Sequence, residues 1–236
     1  MREQLKKGLA LAGLPADPQK IEQLLRFMAL LTAYNSHTNV TAIREEDAIL
    51  EKHILDSLLL QGLISGDNQD NSPRRAIDIG TGAGFPGMIL AIWNPQIHFT
   101  LLDSVGKKTR FLQEVKDALS LANTEIVTAR AEDLIEGRRE TYDFAFCRAV
   151  ARLPVIIEYA LPFLKTGGRF FPQKSDESEA EGAKRALSEL KAEITGIRRM
   201  TLPFSKEKRV VIEIKKNAVS AKKYPRKAGT PQKNPL

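Results

Sequence analysis

The sequence predicts an α/β fold in which a mostly parallel sheet, closed by a terminal antiparallel hairpin, follows an N-terminal helical segment. Three observations predict it. From about residue 74, short apolar runs alternate with helix-length segments, the pattern of parallel strands joined by crossover helices. Near the end, two strand-like runs at 197–202 and 210–214 are separated by only seven residues, too few for a crossover, so they should pair antiparallel. Before residue 65 the apolar residues recur at helical spacing instead.

In chain order, Ile21, Leu24, Leu25, Met28 and Leu31 mark one amphipathic helix, and Ile49, Ile54, Leu58 and Leu59 mark another less regularly. A polar loop, 34–41, lies between them. Residues 65–73 contain no apolar side chain and read as a linker. Strands are expected at 76–79, 99–102, 125–128, 144–147 and 170–171, with helices at 107–121 and 155–164. The expected division is therefore a helical segment with its linker at 1–73, a sheet domain at 74–216, and a flexible basic tail at 217–236.

Composition sets the class. The 236 residues are 42% apolar and 28% charged, enough for a buried core and far from a disordered chain. One cysteine excludes an intrachain disulfide and favours a reducing compartment. No run approaches the roughly 18 apolar residues that a membrane span needs. The lysines and apolar stretch near the start only faintly imitate an export signal and pass into a helix, so the cytoplasm is expected. The net charge of +7 is unevenly placed. Seven cations and no acid lie at 215–236, which leaves 29 basic against 29 acidic residues in the rest. A basic segment of this kind suits nucleic acid as a contact for 215–236, or is simply solvated.

Chemistry gathers first at Asp78-Ile79-Gly80-Thr81-Gly82-Ala83-Gly84-Phe85-Pro86-Gly87, where the first strand should turn into a helix. Read from Gly82, the loop matches a dinucleotide fingerprint with pyrophosphate at the helix start. Read from Asp78 through Gly80, Gly82 and Gly84, it resembles the first motif of S-adenosylmethionine enzymes, in which a nearby acid receives an ammonium group. Asp103, at the end of the second strand, is placed for ribose hydroxyls in either class. After the third strand, Arg130-Ala131-Glu132-Asp133 offers a carboxylate or backbone carbonyl to the amino group of an adenine edge, or, in Glu132 and Asp133, acids that merely favour a helix start.

The fourth strand ends in Cys147-Arg148-Ala149-Val150. An exocyclic-amine methylation motif is missing there. Cys147 is either the nucleophile of carbon methylation or, as its neighbours favour, a small buried hydrophobe. His53, Asp56 and Ser57 share one side of a helix at this spacing and form a local cluster or reach the ligand edge. The three histidines, His37, His53 and His98, stand in no metal-ligand spacing, so no metal is expected. On residues alone, an NAD-dependent oxidoreductase and a non-catalytic RNA-binding protein with a Rossmann-like fold both remain open alternatives.

Together, His53-Ile54-Leu55-Asp56-Ser57, the 78–87 loop, Leu101-Leu102-Asp103-Ser104 with Lys107, Lys108, Phe111 and Leu112, then Arg148-Ala149 and the ending Lys223-Tyr224-Pro225-Arg226-Lys227-Ala228-Gly229-Thr230-Pro231 resemble the RsmG family, also called GidB. The likeness runs from about residue 30 to the end. It implies a Rossmann-like class I methyltransferase sheet and transfer of a methyl group from S-adenosyl-L-methionine to N7 of one guanine, position 527, in 16S rRNA. It implies further that Gly80 and Phe85 line the methionine part of the cofactor, Ala131 and Glu132 its adenine end, and Arg148 the edge facing the substrate. Gly82, Gly84 and Asp103 complete the expected cofactor set. No general base is required, and His53, Arg148 and Lys174 are candidates for positioning the substrate. The partner implied is 16S rRNA or the small ribosomal subunit, bound by a monomer. One departure is Lys174-Ser175, where the family pattern has Lys-Gly.

Overall fold

The computed structural model describes residues 1–64 and 73–236; apart from Pro73, the expected linker lies outside the described residues. Helices α1 (Arg2–Leu11) and α2 (Pro18–Asn35) come first. Asp17 caps α2 by accepting from the backbone N–H groups of Gln19 and Lys20, with Pro18 in the first helical position. A continuous helical run then comprises α3 (Glu46–Ile49), a π-helical stretch (Leu50–Leu55) and α4 (Asp56–Leu58), and a short α5 (Gln61–Ile64) follows.

The remainder alternates β1 (Arg74–Ile79), α6 (Gly87–Trp93), β2 (Ile97–Asp103), α7 (Gly106–Leu119), β3 (Thr124–Thr128), α8 (Ala131–Leu134), β4 (Tyr142–Arg148), α9 (Leu153–Ala160) and β5 (Leu164–Lys174). Two short helices, α10 (Glu179–Gly182) and α11 (Lys184–Glu189), lead to β6 (Ala192–Thr201) and β7 (Lys208–Lys216), and α12 (Thr230–Lys233) lies near the end. The strands form one sheet in the order β3-β2-β1-β4-β5-β7-β6, parallel except that β7 runs antiparallel to both β5 and β6. Strand order reverses between β1 and β4, and ligands of open α/β sheets bind at the carboxyl ends beside such a reversal.

Period-two alternation splits the sheet's side chains between two cores. Ala76, Phe144 and Phe146 face a cluster with Leu24, Phe27, Leu31, Ile54 and Leu55 of the N-terminal helices. Ile77, Ile79, Ala145 and Cys147 face α9 and α11 on the other side. The N-terminal helices thus share the cover of this face with α6 and α7, whose Leu90, Trp93, Phe111 and Leu112 lie in the same cluster. Glu51 ties the N-terminal helices to the β6–β7 turn as well, its Oε1 accepting from the backbone N–H groups of Phe204 and Ser205 at 2.7 Å each.

The segment 217–236 is not the loose polar appendage that its composition suggests. Tyr224 is buried and its hydroxyl donates to Glu189 at 2.8 Å. Arg226 donates to both oxygens of the fully buried Glu158 carboxylate, and just before the segment Lys216, the last residue of β7, has no exposed surface and donates to Glu140 at 2.8 Å. Charge counting misses this because the acids that pair with these cations lie in the body of the chain. Among the described residues, no helix is long and apolar enough to cross a membrane.

Candidate functional site

The register of β1 on β2 ends at Ile79 opposite Leu102, and Gly80 and Thr81 both donate backbone N–H groups to the Leu102 carbonyl, at 2.8 and 3.0 Å. The chain can then turn sharply because Gly80 and Gly82 take positive φ, +71° and +63°. Asp103 secures the turn: one carboxylate oxygen accepts from the Gly82 N–H at 2.9 Å and the other from the Val105 N–H at 2.9 Å. Asp78 works from beneath. It is fully buried, it accepts the Gly87 N–H at the start of α6 at 2.8 Å, and burial pushes its carboxyl up to about 6.

Above this turn is a cavity of about 480 Å³ along the carboxyl ends of β1 to β4, a size suited to a small-molecule cofactor. Gly80, Gly82, Phe85, Asp103, Ala131, Glu132 and Arg148 line it. Gly84 and Asp78 do not. A Cβ on Gly84 would stand 2.7 Å from Met88 Cβ and 2.9 Å from the Leu112 side chain, so this glycine serves close packing of the loop on α6 and α7. Asp78 lies below the loop, where it holds α6 in place and offers no surface for an ammonium group.

Arg148 organises the β4 end. It donates to the Lys52 carbonyl at 3.0 Å, to Asp56 at 3.1 Å and to His53 Nδ1 at 3.0 Å. His53 Nδ1 thus faces both the Arg148 guanidinium and the Lys52 carbonyl, 3.1 Å away, while its Nε2 lies 2.9 Å from the Thr41 hydroxyl. The imidazole is neutral: burial, and then the Arg148 charge, hold it down at about 3. It also stacks on Phe85, with ring centroids 4.1 Å apart and 16° between planes. Ser57 does not join, since its hydroxyl donates to the His53 carbonyl at 2.6 Å. The three-residue cluster expected on one helix is therefore a cluster of His53 and Asp56 around Arg148.

A second cavity, about 510 Å³, lies beyond that arginine and includes Asp56, Gln173, Lys174, Glu179 and Arg209 in its walls. Arg148, Ala149 and Val150 line both cavities. Lys174 donates to the Ala151 carbonyl at 2.6 Å and pairs with Glu179 at 3.1 Å. Ser175, where the family pattern has glycine, is not among the residues with positive φ, so a serine fits this backbone without strain. Cys147 is buried next to the site with its thiol pushed well above the ordinary range by burial, the character of a packed hydrophobe and not of a nucleophile.

Sequence reasoning missed Thr41, Arg209 and Gln232. Thr41 orients His53, Arg209 pairs with Asp56 at 3.2 Å, and Gln232 lines the first cavity from the far end of the chain. The polar 34–41 loop was the available signal for Thr41; neither of the others carries a local pattern.

Known proteins match this chain in sequence and in fold. Residues 20–212 match the family described as rRNA small subunit methyltransferase G, GidB. The ribosomal RNA small subunit methyltransferase G of Fusobacterium nucleatum is 52% identical over 237 residues and all of both chains, and that of Acetivibrio thermocellus is 41% identical over all of this chain and 97% of its own. Among solved structures, a variant of the 16S rRNA (adenine(1408)-N(1))-methyltransferase from Catenulisporales acidiphilia, solved with SAM, superposes with a TM-score of 0.52 at 14% identity, covering 64% of this chain and 88% of its own. The [4+2]-cyclase SpnF superposes with a TM-score of 0.58 at 13% identity, over 85% and 96% of the two chains. Since a cyclase shares the sheet, these likenesses establish the fold alone. Full-length identity to the curated relatives goes further: the chain belongs to the rRNA small subunit methyltransferase G family.

Proposed function

We propose that the chain transfers the methyl group of S-adenosylmethionine to N7 of a guanine in 16S rRNA. One observation carries the reading: the cofactor-sized cavity and a second, cation-lined cavity share the wall Arg148-Ala149-Val150, so two reactants bound in them meet at the β4 end. The first cavity fits the cofactor. A Cβ on Gly80 would come within 2.4 Å of Val150, so only glycine leaves the cradle open, and the Asp103 carboxylate retains lone pairs beyond those given to Gly82 and Val105. Gly80, Gly82 and Phe85 would hold the methionine half, Asp103 the ribose, and Ala131 and Glu132 the adenine.

The bound cofactor supplies an electrophilic methyl group. Guanine N7 carries an in-plane lone pair and loses no proton on attack, so the protein's task is alignment. This suits a site in which His53 is held neutral and already bonded through both ring nitrogens. Lys174 and Arg209, in the second cavity, are suited to a phosphate or to guanine O6. In this reading the enzyme acts as a cytoplasmic monomer, and exposed cations in 215–236 contact the RNA.

The test is chemical. 16S rRNA treated with the protein and S-adenosylmethionine, then with borohydride and aniline, should break at the modified base, as N7-methylguanine does. An RNA that resists cleavage and yields 5-methylcytosine on digestion would overturn the reading. In a parallel titration, S-adenosylhomocysteine should bind and NAD should not.

A further inference from the structure

The cofactor cavity is walled near the end of β3 by Ala129, Arg130, Ala131 and Glu132, and by one residue a hundred positions downstream, Gln232. Its position there is built, not incidental. The segment that carries it is fastened at Tyr224, whose hydroxyl donates to Glu189, and at Arg226, which gives its backbone N–H and its guanidinium to Glu158. Arg226 also donates to the Asn234 carbonyl at 2.8 Å, which closes 226–234 into a loop on itself. At Gly229 the chain turns with φ +82°, and the Gly229 N–H donates to Glu132 Oε1 at 3.2 Å. Glu132, expected to receive adenine, thus spends one oxygen on the C-terminal segment. Pro231, two residues past Gly229, is buried.

Past Arg226 the segment stays on the body, with α12 against α9 and Leu236 against the second core, and this holds at the rim of the cavity an exposed amide, that of Gln232, which has no hydrogen-bond partner among the described residues. A glutamine amide offers one donor and one acceptor side by side, the complement of the adjacent acceptor N7 and donor N6 of adenine. Resting on the cofactor reading above, we propose that residues 229–236 form the outer wall of the cofactor site, with Gln232 reading the adenine edge opposite Ala131 and Glu132.

The test is calorimetric titration of the full chain, a chain ending at Gly229, and Gln232→Ala with S-adenosylhomocysteine and with adenosine. The shortened chain keeps Tyr224 and Arg226 but gives up the packing of Pro231 and Leu236, whereas Gln232→Ala alters only an exposed side chain; the melting temperature of each variant separates a loss of fold from a loss of contact. Loss of exposed hydrogen bonds should weaken S-adenosylhomocysteine about fivefold in Gln232→Ala and tenfold or more in the shortened chain. Adenosine should lose affinity by the same factors, since the contact is to the base. Both variants binding within about twofold of the full chain would overturn the wall, as would a loss seen for S-adenosylhomocysteine but not for adenosine. A full chain that takes up no S-adenosylhomocysteine would overturn the cofactor reading itself, and the wall with it.

Discussion

The Arg148 guanidinium, at the end of β4, and the Asp56 carboxylate, in the helical run before the sheet, lie 3.1 Å apart with both side chains largely buried. Asp56 also pairs with Arg209 of β7 at 3.2 Å. One carboxylate therefore pairs with two guanidinium groups drawn from two strands, at the boundary between the two cavities.

Removing that carboxylate leaves the buried Arg148 without an acidic partner and Arg209 with Glu207 alone. Asp56→Ala should destabilise the fold by about 3 kcal/mol, the cost typical of breaking one side of a buried pair. Urea unfolding measures it. A variant as stable as the parent would mean that the arginines find water or other acceptors at no cost.

His53 makes stability depend on pH with a definite sign. Its folded pKa is depressed to about 3, while an unfolded histidine titrates near 6.5. Below about pH 6.5 the unfolded chain takes up a proton that the native site refuses, so the stabilisation is complete above that pH and is lost as pH falls toward 3. Between pH 6.5 and 5 the loss from this group is roughly 2 kcal/mol. His53→Gln should lack it, and the difference between the two unfolding curves across that window isolates it. Parallel curves would contradict the burial of a neutral imidazole.

Asp103→Ala should weaken S-adenosylhomocysteine by about 1 to 3 kcal/mol. Two losses coincide, the acceptor for the ribose and the anchor of the glycine turn at Gly82 and Val105. Asp103→Asn keeps one acceptor and should recover part of the affinity. Unchanged titrations for both would take this residue out of the site.

The charge count of 215–236 sets a larger salt dependence than the folded segment can deliver, because Lys216 and Arg226 already pair with Glu140 and Glu158. Lys222, Lys227 and Lys233 are exposed. Replacing these three with glutamine should leave the melting temperature and S-adenosylhomocysteine affinity in place. It should flatten the slope of log K against log salt for single-stranded RNA by about two units. An unchanged slope would move the RNA contact elsewhere, with Lys107, Lys108 and Arg110 of α7 the next candidates.

Period and spacing made the sheet legible, because each strand alternates or runs apolar and each crossover helix has its own length. Boundaries were shorter in the sequence than in space where polar residues extend a strand: β5 begins at Leu164 with Lys165, Thr166, Gly167 and Gly168 before its apolar pair. The turn of Gly80 and Gly82 and its anchor Asp103 were legible because a strand-to-helix turn this sharp demands glycine and a nearby acceptor. The role of Gly84 was not, since a glycine required by Met88 and Leu112 looks the same in sequence as one required by a ligand. Nor was the π-helical turn at 50–55, which departs from the α-helical spacing used to group His53, Asp56 and Ser57. The folded C-terminal segment escaped because its partners, Glu158 and Glu132, are 68 and 97 residues away, and nothing local announces a pairing at that range.

The cover that the first helices lay over the sheet bears on how the chain can be subdivided. Leu24, Phe27, Leu31 and Ile54 share one cluster with Phe99, Phe144 and Phe171. A gene fragment beginning at residue 73 would carry every glycine of the cofactor turn, yet it would open to water the apolar surface of the sheet, α6 and α7 on which Leu24, Phe27, Leu31 and Ile54 pack. Such a fragment should collect in inclusion bodies or on chaperones. Supplying residues 1–72 as a separate polypeptide should return it to solution, since the two pieces together can rebuild the shared core.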